Sequence, residues 1–225
     1  MRKLLIAATA LGVCVAASPA GATVTVLDFT AATCSGGVPC TTGGAIEQSY
    51  GDGAGIDVGY ATYTFTGNPT ELALKYWALG YGDLDGVIWG GTNQTDYFSR
   101  ITLTALPGYE ISLISFDIAT YLDNSALSPV LIESLGGTGI FADNIATLYP
   151  SHNHVAVSSA YFSDGIVLNW GPDGYNVGLD NITFDVRALS GTAVPEPANW
   201  TMMILGFGAA GSLIRRRRAK RAPSY

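Results

Sequence analysis

Four kinds of side chain in this sequence could do chemistry, and each is sparse enough to place. Cys34 and Cys40 are separated only by SGGVP. Glycine and proline let so short a loop close, so the pair reads as a disulfide of an oxidising compartment. A zinc site would need two further ligands nearby. Asp83 and Asp85 in GDLDG supply two carboxylates on a turn, and Asp180 supplies a third. Calcium takes six to eight oxygen ligands, so these acids are candidates for a structural Ca2+. Acids at turns also satisfy local backbone N–H groups, which is the plainer reading. His152 and His154, the only histidines, stand two apart in SHNH. They share a face only if the chain is extended there. A surface loop is the expectation, and a metal-binding pair is the alternative.

Aromatic residues are the fourth kind. Trp77, Trp89 and Trp170 stand among many tyrosines. Exposed Trp and Tyr faces make sugar platforms, yet large aromatics in a β domain more often pack into a core. Glycine-rich loops surround Trp77 and Trp89, which makes these two the candidate sugar contacts. The chain has no Ser-His-Asp signature, nucleophile elbow or glycine-rich phosphate loop leading into a helix. A glycosidase needs only two carboxylates, and nothing selects a pair here. The expectation is a protein that is not an enzyme.

The elements that must position these residues read as strands. Residues 23–29 alternate. In 60–66, Tyr60, Thr62, Thr64 and Thr66 share one face, a threonine row of the kind seen on ice-binding surfaces, although a single row is common in any strand. In 96–106, Ile101, Leu103 and Ala105 point inward. Residues 110–121 form a long strand whose apolar phase shifts between Leu113 and Ile114, which predicts a bulge. Segments 130–133, 154–161 and 165–170 follow. The last strand, 179–187, buries Ile182, Phe184 and Val186. Many short strands with turn residues between them predict an all-β fold, a β-sandwich or jelly roll.

Charge divides the chain into three. Eight of the eleven basic residues lie in 1–22 or after Ile214. Residues 23–192 carry three basic residues against seventeen acidic ones, a net charge of −14. A domain this acidic repels nucleic acid and suits cations, neutral sugars or simple solubility. Met1, Arg2 and Lys3 precede an apolar stretch, and Ala20-Gly21-Ala22 is an A-x-A cleavage site. The reading is a signal peptide over 1–22, handled by the Sec translocon and signal peptidase, an exported domain over 23–192, and a tail over 193–225.

In the tail, Pro195 and Pro197 hold the chain out of a helix. Residues 200–214 carry no charge, and Arg215, Arg216, Arg217 and Arg218 follow. Fifteen helical residues span about 22 Å, short of the roughly 30 Å hydrocarbon core, with arginine snorkelling and bilayer thinning to cover the difference. A transmembrane helix over about 198–214 is expected, with the basic tail 215–225 on the cytoplasmic side. Pro195, Glu196, Pro197 and Trp200, followed by this run and its arginines, resemble the PEP-CTERM sorting signal in its PEPxxWA variant. Thr201 stands where that variant has alanine. The resemblance implies processing by an exosortase, a transient inner-membrane anchor, and a final place on the cell surface or in an exopolysaccharide or biofilm matrix.

The segment VGLDNITFDV resembles the closing strand of galactose-binding-like jelly rolls. That resemblance implies a structural calcium near Asp180, with Asp28 as the candidate on the first strand. The expected function is a non-enzymatic surface or matrix protein acting in adhesion or exopolysaccharide organisation. A specific carbohydrate-binding module is the alternative, and a glycan hydrolase the remote one.

Overall fold

A computed structural model describes residues 22–64, 69–71, 73–90, 97–124, 126–147, 149–172, 174–189, 204, 206 and 207. Most of the signal segment, including Ala20, lies outside these, as do Pro195, Glu196, Pro197, Trp200 and Arg215, Arg216, Arg217 and Arg218. Ile204, Gly206 and Phe207 are helical. No helix among the described residues is long and apolar enough to cross a membrane.

The rest is strand and turn. In chain order the strands are β1 (Thr23–Leu27), β2 (Thr33–Cys34), β3 (Val38–Pro39), β4 (Ile56–Thr64), β5 (Pro69–Glu71), β6 (Lys75–Trp77) and β7 (Val87–Trp89). They continue as β8 (Tyr97–Ala105), β9 (Tyr109–Thr120), β10 (Ala126–Ser134), β11 (Gly139–Thr147), β12 (Asn153–Ala156), β13 (Ile166–Trp170) and β14 (Val177–Ala188). One six-stranded sheet has the order β12-β9-β14-β7-β6, with β1 also paired to β14. The second has the order β11-β10-β13-β8-β4-β5, and β2 with β3 forms a small hairpin. The pairings are antiparallel, so one face of each sheet can be apolar while the other meets water.

The core lies between the two sheets. Leu113, Phe116, Ile118, Ile182 and Phe184 enter it from the first sheet, and Ile101, Leu103, Ile132, Leu168 and Trp170 from the second. Trp170 is fully buried and its Nε1–H donates to Val177 O at 3.0 Å. It is a packing residue.

The expected phase shift in β9 is present. Phe184 pairs with Leu113 and Thr183 with Ser115, which leaves Ile114 as an extra residue. A compensating extra residue occurs in β14, where Asp180 pairs with Asp117 and Thr183 with Ser115. Asn181 sits in that irregularity at φ 50°, a backbone region asparagine tolerates better than most residues. The inward set therefore switches from Ile111 and Leu113 to Phe116 and Ile118, and from Val177 and Leu179 to Ile182 and Phe184.

One local expectation is corrected, and one alternative falls away at Thr62, with Thr66 outside the described residues. Thr62 is wholly buried and its Oγ1–H donates to Ala73 O. Ile56, Val58, Tyr60 and Thr62 form the inward row of β4, so this face is core and not a threonine surface. The SHNH segment is not a loop alone, because Asn153 begins β12 and pairs with Ile118. β11 has no counterpart in the sequence reading. It is an edge strand with little of its surface buried, so its residues show no alternation to detect.

Candidate functional site

The outer face of the first sheet carries the side chains of interest. In β7, Ile88 enters the core while Val87 and Trp89 face the other way, as the period of two requires. On β9, Ala119 shares that outer face. Tyr81 and Leu84 fold over from the loop between β6 and β7, and Trp77, Tyr121 and Tyr175 pack half-buried against the group. The result is a second apolar cluster, separate from the core.

Its rings meet mostly edge to face, the geometry that aromatic quadrupoles favour. Trp77 and Trp89 have centroids 5.9 Å apart at 78°, and Trp77 and Tyr121 are 5.4 Å apart at 82°. Trp89 and Tyr175 are 5.1 Å apart at 90°. Together with Tyr81 they line one shallow cleft. Tyr81 Oη–H donates to Tyr175 O at 2.7 Å, which fixes the floor of the cleft to the loop before β14. Trp89 is 5% exposed, and its Nε1–H finds no hydrogen-bond partner among the described residues. Lys75 Nζ lies 5.8 Å from the Trp89 ring centroid. Gly178 makes the close approach possible. A Cβ there would stand 2.7 Å from Val87 Cγ2 and 2.9 Å from Tyr81 Cδ1.

The structure thus brings Trp77 and Trp89 together but gives them different positions. Trp77 reaches the surface, and Trp89 lies beneath it. Leu79 and Leu122, 67% and 47% exposed, stand beside the cleft, and Leu122 N–H donates to Gly80 O. Tyr81, Tyr121 and Tyr175 escaped the sequence reading because they come from three distant segments. Only the sheet order makes them neighbours.

A polar group adjoins the cluster along β9. Asp117, two residues before Ala119, is buried on the same outer face. His154 Nδ1 is 2.7 Å from Asp117 Oδ1, and Asn181 Nδ2–H donates to Asp117 Oδ2 at 2.9 Å. His152 Nε2 lies 3.9 Å from Asp117 Oδ2, while its Nδ1 is 2.7 Å from Asp83 Oδ1. The two histidines therefore share a face after all, and Asp117 is what they share. That hydrogen bond from His152 holds the Asp83 carboxyl below its usual range. Asp117 was missed in the sequence, although a charged residue inside ISFDIAT was a visible breach of the apolar pattern.

Asp180 stands opposite Asp117 on β14 and is buried. Its Oδ1 accepts from Phe29 N–H at 3.0 Å. Burial pushes its carboxyl up to about 6, against the backbone hydrogen bonds of Phe29 and Asn181, and the Asp28 and Asp117 charges add to the rise. Asp28 Oδ1 accepts from Thr30 N–H, and Asp85 O accepts from Thr30 Oγ1–H. Of the four acids named for calcium, the Asp28, Asp83 and Asp180 carboxylates are engaged with separate local partners, and Asp85 contributes its backbone carbonyl to Thr30. Among the described residues, no three His, Cys, Asp or Glu side chains are arranged to hold a metal ion. Cys34 and Cys40 are joined in a disulfide that closes the β2–β3 hairpin.

Comparison with known proteins adds the tail. Residues 193–218 match the PEP-CTERM protein-sorting motif. That motif implies export and processing by an exosortase at the membrane. No curated protein matches the chain. Among solved structures, the domain is similar to a family 29 carbohydrate-binding module from Piromyces equi, at 14% identity and TM-score 0.35, over 78% of this chain and 97% of that one. It is similar to a second family 29 module at 13% identity and TM-score 0.29, over 58% and 91% of the two chains. An Arthrobacter globiformis T6 isomalto-dextranase complexed with panose matches at 10% identity and TM-score 0.29, over 75% of this chain and 33% of the enzyme.

Proposed function

We propose that this is an exported, non-enzymatic surface or matrix protein whose domain holds a glycan on the aromatic cleft of Trp77, Tyr121 and Tyr175. The observation that carries the reading is the outer-face cluster itself. A sheet face that meets water has no folding need for five large aromatic rings, three of them half-exposed. C–H faces of a pyranose pack on such rings, and tyrosine hydroxyls supply hydrogen bonds at the edge. The acidic domain suits a neutral sugar and disfavours anionic polymers.

The sheet orders support a jelly roll. Strands β1-β14-β9-β12 in one sheet face β8-β13-β10-β11 in the other, and the chain passes between sheets at β8 to β9, β9 to β10, β11 to β12, β12 to β13 and β13 to β14. Two interlocked Greek keys have this order. In the sorting scheme, Pro195, Glu196, Pro197 and Trp200 are the processing motif and the arginines are the membrane stop. Exopolysaccharide is then the natural ligand in the matrix where the protein is delivered.

A polysaccharide array with the secreted domain tests the glycan reading. Binding to a neutral glycan is expected, reduced at least tenfold by Trp77→Ala with the fold intact. Binding to no glycan, or full binding by Trp77→Ala and Tyr121→Ala alike, would sink it. Replacing Pro195 and Pro197 together should leave unprocessed protein in the inner membrane, and normal processing of that variant would overturn the sorting assignment.

A further inference from the structure

The loop between β6 and β7 crosses the outer face of the first sheet and joins the aromatic cleft to the histidines. Tyr81 pairs antiparallel with Tyr121, and Gly82 N–H donates to Thr120 O at 3.1 Å. Gly80 and Gly82 have φ of 102° and 56°, a region that favours glycine. A Cβ on Gly80 would stand 3.0 Å from the Tyr121 ring, and one on Gly82 would stand 2.4 Å from Ser151 O and 3.2 Å from Ala119 Cβ. The loop therefore touches the cleft on one side and the segment leading into β12 on the other.

Asp83 follows at once, its Oδ1 2.7 Å from His152 Nδ1. His154 Nδ1 is 2.7 Å from Asp117 Oδ1. An ionised carboxylate only accepts, so Nδ1 carries the proton in both rings, and Nε2 of each neutral ring is an acceptor. His152 Nε2 is 3.9 Å from Asp117 Oδ2, too far for a hydrogen bond. The side chains of Asp83 and His154 are 59% and 62% exposed. Solubility needs no fixed orientation of an exposed imidazole, yet each of these rings is held by a carboxylate. The edge is a row of oriented acceptors open to solvent.

This row continues the cleft along β9. Asp117, Ala119 and Tyr121 take alternate positions and share the outer face, and His154 lies opposite Asp117. Four residues of extended chain separate Tyr121 from Asp117, about 13 Å. One pyranose ring does not cover that span, and a short oligosaccharide does. The cleft itself calls for an occupant that carries oxygen. Trp89 Nε1–H is buried there without a partner among the described residues, and an acceptor on the occupant would satisfy it.

We propose that Asp83, His152 and His154 form a second subsite for the same glycan. One sugar unit packs its C–H face on Trp77 and Tyr121. A unit further along donates its hydroxyls to the Asp83 carboxylate and the histidine Nε2 atoms. This assignment rests on the glycan reading of the cleft and adds the length and chemistry of the ligand. Acceptors pair with hydroxyl donors, and fully etherified or esterified sugars offer none. Acidic sugars are repelled by Asp83 and Asp117. The ligand class is a neutral oligosaccharide of at least two units with free hydroxyls.

The test is calorimetric titration of the mature chain, residues 23–225, in lipid nanodiscs with the disulfide oxidised. The probes are oligomers of one to six units of glucose, mannose, galactose and N-acetylglucosamine. Affinity should rise with length in at least one series. Trp77→Ala should weaken every length at least tenfold. His154→Ala and Asp83→Asn should leave the shortest bound oligomer within twofold of the parent and weaken the longest at least fivefold. A folding defect would weaken all lengths alike, so the dependence on length is the signature of a subsite. Parent-like binding of every length by both variants overturns the proposal, and so does an equal loss at all lengths. In either case binding that still depends on Trp77 leaves the glycan reading standing. A parent that binds none of these oligomers, and nothing on the polysaccharide array, ends both readings together.

Discussion

Asp117 and Asp180 stand directly opposite each other on β9 and β14, two buried carboxylates in register on the outer face of one sheet. Asp117 is met by His154, by Asn181 and, at longer range, by His152. Asp180 has backbone donors, and burial pushes its carboxyl up to about 6, with the Asp28 and Asp117 charges adding to the rise. In the unfolded chain the same group titrates near 4. Between those values the folded protein holds a proton that the unfolded chain has lost. The stability from this group is complete below about pH 4 and is lost as pH rises through about 6.

Asp180→Asn should therefore stabilise the metal-free protein at neutral pH. The amide oxygen still accepts from Phe29 N–H, and the buried charge is gone. About 1–2 kcal/mol is expected at pH 7.5 after solvent screening, a Tm increase of a few degrees, shrinking to nothing at pH 4. Calorimetry of both proteins at the two pH values checks this. A variant less stable than the parent at pH 7.5 would refute the assignment.

Trp77 and Trp89 should separate binding from folding. Trp89→Ala removes a buried ring from the outer cluster and should cost about 3–5 kcal/mol. Trp77→Ala removes a ring that already meets solvent in part and should shift the denaturant midpoint less. Urea unfolding of the pair measures both effects, and equal losses would mean that Trp77 is a packing residue as well.

Gly178→Ala probes the close packing under Tyr81. The added methyl would meet Val87 and Tyr81 well inside contact distance, so one of them must move. A loss of about 1–3 kcal/mol is expected, with an altered near-ultraviolet circular dichroism signal from the aromatic cluster. An unchanged spectrum would show that the cluster is looser than its ring distances imply.

Reduction of the Cys34–Cys40 bond should lower stability by about 2–3 kcal/mol, the range for a short closed loop. Thermal melts with and without reductant measure it. A much larger loss would mean that the hairpin organises more of the domain than its own turn.

Chelation should leave the melting curve unchanged. Asp28, Asp83 and Asp180 each take a hydrogen bond from a different group, Thr30, His152 and Phe29, and among the described residues no three His, Cys, Asp or Glu side chains are grouped to share an ion. A Tm lowered by EDTA and restored by calcium would contradict this reading of the acidic face.

Some of this was legible in the chain because it depends on local pattern alone. The sorting tail is a linear motif, so Pro195, Glu196, Pro197 and Trp200 identify it without any fold. Alternation placed β8 and β14 and their inward rows, because side chains in a strand change face at every residue. The broken phase at Leu113 and Ile114 announced the β9 bulge for the same reason. The proximity of Cys34 and Cys40 needed only a short flexible loop.

Tertiary structure decided what those patterns could not reach. β11 hides few side chains, so no periodicity marks it. Thr62 could lie on either face because threonine suits both, and only the packing of the domain against β4 makes its row core. The aromatic cleft joins residues from β6, β7, the loop before β7, the end of β9 and the turn before β14. Asp117 meets His152, His154 and Asp180 through pairings that link strands far apart in sequence. Both sites are products of sheet order. Sheet order arises from which faces can be buried together, a property of the whole chain and not of any segment.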